Sequence, residues 1–395
     1  MPAKKDSKCC ADAEKTAQYT VLKIRLYPTA EQVDLLEKTF GCCRYIWNQM
    51  LADVQEFYAA TDIHYIPTPA KYKKTAPFLT EVDSQALCAV HQNLRKAFLD
   101  FFHAPKSFGY PQFKTKKARK DTFTVYCRPY RRGPSIILAD DGIQMPKLGH
   151  IKAKVHRKPL PEWKLKFVTV TKTKTEKYFC AVTFKYDAAQ TAKTMPVLQK
   201  TLGINHSLLH FYVDSDGNQP DLPLWIAKAK EDLAKMQSRL SRMQPGSRNY
   251  AEQAQKIRLL HEHIANQRKD FIHKESRRIA NAWDAVCVRD TDLVKLSQQV
   301  KGVNVMDSGF GMFRDCLKYK LMQQGKPFLV VNAYAQTAKT CHECGFIHEK
   351  LSRREKIWIC PQCGAEISRE INAAKNIRDL GIQQLQEICT FHAIS

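Results

Sequence analysis

The chain has 395 residues, 44% hydrophobic and 26% charged, a globular balance that excludes wholesale disorder and suits two or three domains. Lysine and arginine number 63 against 39 acidic residues, a formal charge of +24, so a polyanionic partner is expected, most commonly nucleic acid. The longest apolar stretch, Phe328 to Ala335, is too short for a membrane span, and MPAKKDSKCC lacks a signal-peptide core, so no membrane partner and a cytoplasmic location are expected.

Residues 1–18 read as a loose basic tail. Leu22, Ile24 and Leu26 alternate with Lys23, Arg25 and Tyr27, the period-2 pattern of a half-buried strand, which Pro28 ends. Thr29 and Gln32 form a capping-box pattern opening a helix with Val33, Leu36 and Phe40. A second helix is expected over Tyr45–Phe57 and a third through Leu87, Val90, Leu94, Phe98 and Phe101, making a helical insertion over 29–104. From Phe108 aromatics interleave with basic residues. Short strands follow at Ser135–Leu138, Ile151–Val155, Lys166–Thr171 and Tyr178–Phe184, which with the first strand suggest a small β-barrel. Residues 189–199 read as a linker. Beyond it come a strand at Thr201–Ile204, a hairpin at Asp216-Gly217, two long basic helices turned by Pro245-Gly246-Ser247, a strand at Ala285–Val288, and a last helix from about Arg369. Alternating strands and helices predict an α/β sheet domain.

Fourteen cysteines in a long chain without an export signal argue for reduced thiols, but four have regular spacing. Cys341-x2-Cys344 and Cys360-x2-Cys363 are two tight turns, each presenting two thiolates and each followed by glycine, Gly345 or Gly364. Together they predict a closed four-sulfur zinc site, structural because no coordination position stays open, with one Zn²⁺ per chain. Arg353, Arg354 and Lys356, between the pairs, are expected to face nucleic acid.

Several segments in order resemble the TnpB proteins of bacterial insertion sequences, relatives of compact type V CRISPR effectors. They are LKIRLYPTAEQ with FGCCRYIWN, then YPQFKTKK and IQMPKLGHIKAKVHRKPLP. QSRLSRMQPGSRN and HEHIANQRKDFIHK follow, then DSGFGMFRDCLKYK, TCHECG, CPQCG and REINAAKNI. The resemblance implies a wedge-like N-terminal barrel over 19–28 and 105–188 with a helical recognition lobe over 29–104. It implies a RuvC-like, RNase-H-fold domain over 200–336 and 366–395 with a helical insertion, and a zinc ribbon over 337–365. As partners it implies a structured guide RNA and a double-stranded DNA target beside a short flanking motif, in bacterial cytoplasm or nucleoid. A homodimer is compatible with it.

RuvC-type cleavage uses two divalent ions held by three carboxylates. In the family these are an Asp in a GID strand, a Glu in a VEDL strand and an Asp in an RDxNAA helix start. At those positions this chain has Asn205, Arg289 and Glu370. Asn205 removes a charge that hard cations need. Glu370 moves its oxygens by more than ~1 Å, a misplacement that can cost on the order of 100-fold. Arg289 sets a permanent cation against the metal. Neighbouring Asp290 points to the opposite strand face; Asp292 lies beyond the strand end, where sequence does not set its direction, and Asp307 and Asp379 reach the site only by a rearrangement. Productive Mg²⁺ binding and catalysis are therefore not expected.

Nucleic-acid contacts are expected in two basic stretches. The first holds Lys114, Lys116, Lys117, Arg119, Lys120, Tyr126, Arg128, Arg131 and Arg132, with rings to stack and cations to hold phosphates. The second is the helical pair, with Arg239, Arg242, Arg248, Arg268 and Lys269. The leading expectation is a nuclease-inactive RNA-guided DNA-binding protein that represses transcription by occupancy. Two alternatives stay open: an active RNA-guided endonuclease with variant ligands, and a guide-independent basic zinc-ribbon protein that packages nucleic acid.

Overall fold

The computed structural model describes residues 17–116, 121–131, 133–187, 200–221, 223–299, 309–352 and 355–394. The linker at 189–199 and all but the end of the expected tail lie outside them. The chain divides into two compact units, residues 1–189 and 190–395.

The first unit opens with strand β1 (Ala17–Tyr27), which begins inside the segment expected to be tail. Helix α1 (Ala30–Thr61) follows, its Thr29–Gln32 capping box formed. It runs unbroken where two helices were expected. Gly41 alone does not stop a helix, and Phe40, Cys42, Cys43, Ile46, Trp47 and Met50 bury one continuous face across it. After two short 3-10 turns, α2 (Ser84–His103) starts from an Asp83 cap. Then come β2 (Asp121–Tyr126), the small pair β3 (Pro129–Tyr130) and β4 (Gly133–Pro134), and β5 (Ile137–Leu138), β6 (Gly142–Met145), β7 (Gly149–Lys154), β8 (Lys164–Lys172) and β9 (Tyr178–Asp187). Seven of these strands form one antiparallel sheet in the order β2-β8-β9-β1-β7-β6-β5. As expected, β1 returns to the sheet, taking a central place between β9 and β7. The ladders end at β2 and β5 and do not join among the described residues, so the finding is an open-ended seven-stranded sheet. Leu22, Ile24, Val168, Val170, Cys180 and Val182 on its inner face pack with Leu36, Ile46, Leu87 and Leu94 of the helices in one core.

In the second unit β10 (Thr201–Asn205) pairs antiparallel with β11 (Val213–Asp214) and parallel with β12 (Ala285–Arg289). Between β11 and β12 stand the two basic helices, α3 (Leu224–Ser241) and α4 (Arg248–Ala282). They turn at Gly246, φ 86°, and Ser247 caps the second. Short α5 (Leu293–Gln299) and α6 (Phe310–Gln323) lead to β13 (Phe328–Val331), parallel to β12. The sheet order is β11-β10-β12-β13. After the cysteine-bearing segment with β14 (Ile357–Ile359) and β15 (Glu366–Ser368), α7 (Arg369–Ile394) packs on the sheet. The approach is close: a Cβ on Gly203 would sit 2.1 Å from the Ala374 carbonyl oxygen, and one on Gly381 2.1 Å from the Cys287 sulfur.

Candidate metal centre and nucleic-acid interface

The two cysteine pairs form matching turns. Gly345 N–H donates to Cys341 O and Gly364 N–H to Cys360 O, both at 2.9 Å, while Cys341 and Cys360 donate N–H groups to Phe346 O and Ala365 O. Gly345 and Gly364 have φ of 78° and 72°, the left-handed region where a Cβ is strained. The four sulfurs lie within 4.8 Å of one another, with Cys341–Cys363 at 3.7 Å and Cys344–Cys360 at 3.6 Å. Tetrahedral sulfurs at about 2.3 Å from a zinc ion stand roughly 3.8 Å apart, so this donor set fits a metal such as zinc. Trp358, Leu351 and Ile367 form a small core beneath it.

Helix α7 is fastened to these turns by amides. Asn372, 4% exposed, accepts the His342 N–H at 2.9 Å and donates to Thr340 O at 2.7 Å. Asn376 donates to Thr337 O and Thr340 O at 2.8 and 2.7 Å. His342 Nε2 meets Asp379 Oδ2 at 2.7 Å. Asp379 is thereby occupied beside the cysteine turns.

The three positions named as altered metal ligands gather at one end of the four-stranded sheet. Ile204 lies opposite Val288, so Asn205 and Arg289, the next residues, finish neighbouring parallel strands. Glu370, in the first turn of α7, accepts from Ser207 Oγ at 3.0 Å, just past β10, and Ser207 Oγ also accepts the Leu209 and His210 N–H groups. Arg289 donates through Nε and Nη2 to Ala333 O. Of the aspartates considered as substitutes, Asp292 caps α5 by accepting from Val294 and Lys295, and Asp290 pairs loosely with Arg314 at 3.7 Å. Asp307 lies outside the described residues. Buried Asp214 is consumed by its own turn, accepting from Asp216 and Asn218. Among the described residues, the four cysteines are the only cluster of three or more His, Cys, Asp or Glu groups suited to a metal.

Three protein-family models match in chain order. "Helix-turn-helix domain" of the OrfB_IS605 type covers residues 19–62, "Probable transposase" of the same type 183–299, and "Cas12f1-like, TNB domain" 310–377. A Streptomyces pristinaespiralis protein named "Putative RNA-guided DNA endonuclease" is 28% identical, over 91% of this chain and 89% of its own length. The Escherichia coli K12 protein named "Putative RNA-guided DNA endonuclease InsQ" is 25% identical over 91% of each chain. The fold matches Cas12f1 solved in complex with sgRNA and target DNA, with a TM-score of 0.59 and 12% identity over 92% of this chain and 99% of that one. The chain is TnpB-like. Within its helix-turn-helix match, this TnpB-like chain has a strand and one continuous helix.

The basic residues named from sequence fare unevenly. Lys117, Arg119, Lys120 and Arg132 lie outside the described residues, as do Arg353 and Arg354. Lys114 places its ammonium 3.6 Å from the Trp47 ring centre, and Asn48 brackets its backbone, so it helps pack the first unit. Lys116, Arg128 and Arg131 are exposed. Tyr126 belongs to β2, a strand in the basic segment where none was assigned from sequence, and its ring meets Phe167 at 5.6 Å. Arg239, Arg242 and Lys269 are exposed; Arg248 is exposed and paired with Glu252 at 3.0 Å; Arg268 is half-buried, its Nε without a partner.

A surface that sequence reasoning passed over is the outer face of the seven-stranded sheet. Tyr19, Lys23, Arg25 and Tyr27 of β1 point outward, beside Lys185 and Phe179 of β9 and Lys152 and Lys154 of β7. Lys23 lies over Phe179 and Arg25 over Tyr27. Asp187, at the end of β9, is the one acidic residue among the described positions of these rows. The signal was present in the alternation: positions assigned as solvent-facing were Lys, Arg and Tyr.

Proposed function

We propose that this TnpB-like chain is a guided DNA-binding protein that occupies a matched target beside a short flanking motif without cutting it, and so represses transcription. The observation that carries the reading is Arg289, a guanidinium ending the strand beside Asn205, where two divalent ions would need carboxylates. In this reading a structured RNA supplies sequence by base pairing, and the protein holds heteroduplex shape. The outer sheet face and exposed arginines of α3 and α4 hold phosphates. Residues 200–336 and 366–395 act as a RuvC-like scaffold, and residues 337–365 as a ribbon closed by one structural zinc. The zinc, when bound, cross-links the two turns and supplies no chemistry. No described helix is long and apolar enough to cross a membrane.

The relatives' names favour a second reading, a Mg²⁺-dependent endonuclease using Glu370. One gel decides between them. RNA-loaded protein is incubated for hours with Mg²⁺ and an end-labelled matched duplex, then run under native and denaturing conditions. A shifted but intact duplex is expected; guide-dependent nicks abolished by chelator overturn the reading. A heterogeneous RNA mixture on the purified protein would favour a packaging role.

A further inference from the structure

The four sulfurs of the ribbon are alike in chemistry but not in access. Cys341 and Cys360, the first cysteine of each turn, are buried, at 1% and 2% exposure. Cys344 is half-buried, and Cys363 is exposed. The asymmetry follows from packing. Cys341, Cys344 and Cys360 lie against the small core of Trp358, Leu351 and Ile367, to which Cys363 does not belong. Pro361, Gln362 and Gly364 around it are exposed as well. Thiolate character and exposure together decide which cysteine is oxidised, and sulfurs that hold a metal are thiolates. A small polar oxidant therefore meets Cys363 first.

A resolving thiol is already in place. Cys341 Sγ lies 3.7 Å from Cys363 Sγ and is shielded from solvent. A disulfide needs about 2 Å, so bonding draws the Cys341 turn toward Cys363. Movement there reaches α7. Asn372 holds the Thr340 carbonyl and the His342 N–H, the residues on either side of Cys341. Arg369, the first residue of α7, donates its N–H to Lys356 O at 2.8 Å.

We propose that Cys363 is a modification site for peroxides, and that its oxidation turns the metal clamp into a Cys341–Cys363 disulfide and unlatches the ribbon from α7. The proposal rests on the structural-zinc reading. In the first step the Cys363 sulfur takes one OH of the peroxide: an S–O bond forms, the O–O bond breaks, and the departing hydroxide gains a proton to become water. In the second the Cys341 sulfur attacks Cys363: an S–S bond forms, the S–O bond breaks, and hydroxide again leaves as water. The two sulfurs lose two electrons, and one peroxide yields two waters. Cys344 and Cys360 alone are too few for a closed four-sulfur site, so zinc is lost.

The test uses purified full-length protein and excess hydrogen peroxide. A chromogenic chelator reports released zinc, dimedone traps the sulfenic acid, and peptide mapping by mass spectrometry locates both products. One zinc should be released per chain, dimedone should label Cys363 ahead of the other ribbon cysteines, and Cys341 should be found joined to Cys363. Proteolysis within residues 337–365 should accelerate, and dithiothreitol with added zinc should reverse it. Cys363→His, which keeps four zinc-type ligands, should retain its zinc under the same treatment. Cys88→Ser, at the exposed cysteine of α2, should release zinc like the unmodified chain. Zinc retained by the unmodified chain under peroxide, or first labelling at Cys344, overturns the proposal, and neither result depends on a variant. Protein that carries no zinc before treatment overturns the structural-zinc reading itself.

Discussion

The cysteine turns and the sheet end where Asn205, Arg289 and Glu370 gather are both candidate metal regions, and α7 touches both, yet they have opposite characters. The first places four thiols at the spacing that one tetrahedral ion requires. The second brings its three positions to one sheet end but offers an amide, a guanidinium and a carboxylate tied to a serine. The difference teaches how such sites persist. Thiols at the turns are coupled to folding, because the ribbon's core is a few side chains around them. The sheet end is seated by its own hydrophobic packing, so ligand chemistry there can change without loss of the fold.

The sharpest way to break that contrast is at the cysteines. Cys360→Ser should release zinc and unfold residues 337–365, since structural zinc supplies about 10 kcal/mol or more of apparent folding energy in small domains. Metal analysis with limited proteolysis would show it, and an intact ribbon without zinc would refute it. Gly203→Ala comes next. Its Cβ would meet backbone at 2.1 Å, so a loss of about 3 kcal/mol or more is expected, read as the urea midpoint. Gly41→Ala, with no neighbour within 4 Å, is the control and should gain up to about 1 kcal/mol.

His206, beside Asn205, is neutralised by burial, which pulls its pKa down to about 4, and its Nε2 has no partner. The unfolded chain therefore binds a proton below about pH 6.5 that the native chain refuses, and stability falls as pH drops from there toward 4. A loss on the order of 2 kcal/mol between pH 7 and pH 5 is expected, absent in His206→Phe. Asn372→Ala should cost about 2 kcal/mol by orphaning the His342 N–H, the Thr340 carbonyl keeping its bond from Asn376, and is seen as faster proteolysis of the ribbon. The smallest effect is at the sheet end itself. Asn205→Asp alone should leave cleavage at zero, because Arg289 still opposes a metal. Nicking by this single variant would show the region to be one residue from activity. Asn205→Asp, Arg289→Glu and Glu370→Asp together are the minimum set for restoring it.

The parts legible from sequence were those written locally. The cysteine pairs with their glycines define their turns within a few residues, and the Thr29–Gln32 box formed as read. The strand ending at Arg289 was found because four apolar residues precede it. What escaped depended on distant partners. Two helices were expected over a stretch that forms one, because the apolar face on both sides of Gly41 has one common core to pack against. Strand β2 was hidden among basic residues because its inward positions, Phe123 and Val125, are only two. Asn372 and Asn376 gave no sign of their role, since the carbonyls they bind lie more than thirty residues away.

The Asn372 contacts also bear on how such chains change over descent. Asn372 anchors the cysteine turns, and Ala373 and Ala374 are buried where α7 crosses the sheet. Substitution at these three positions is penalised by architecture whether or not the protein cuts DNA. Glu370, two positions earlier, has only its Ser207 contact among the described residues and is held less tightly. A lineage that abandons cleavage would therefore keep most of its helix-start signature intact for structural reasons alone. Retention of Asn-Ala-Ala records how the helix is seated; under the proposed reading, a record of chemistry would lie only at position 370, weighed with those at 205 and 289.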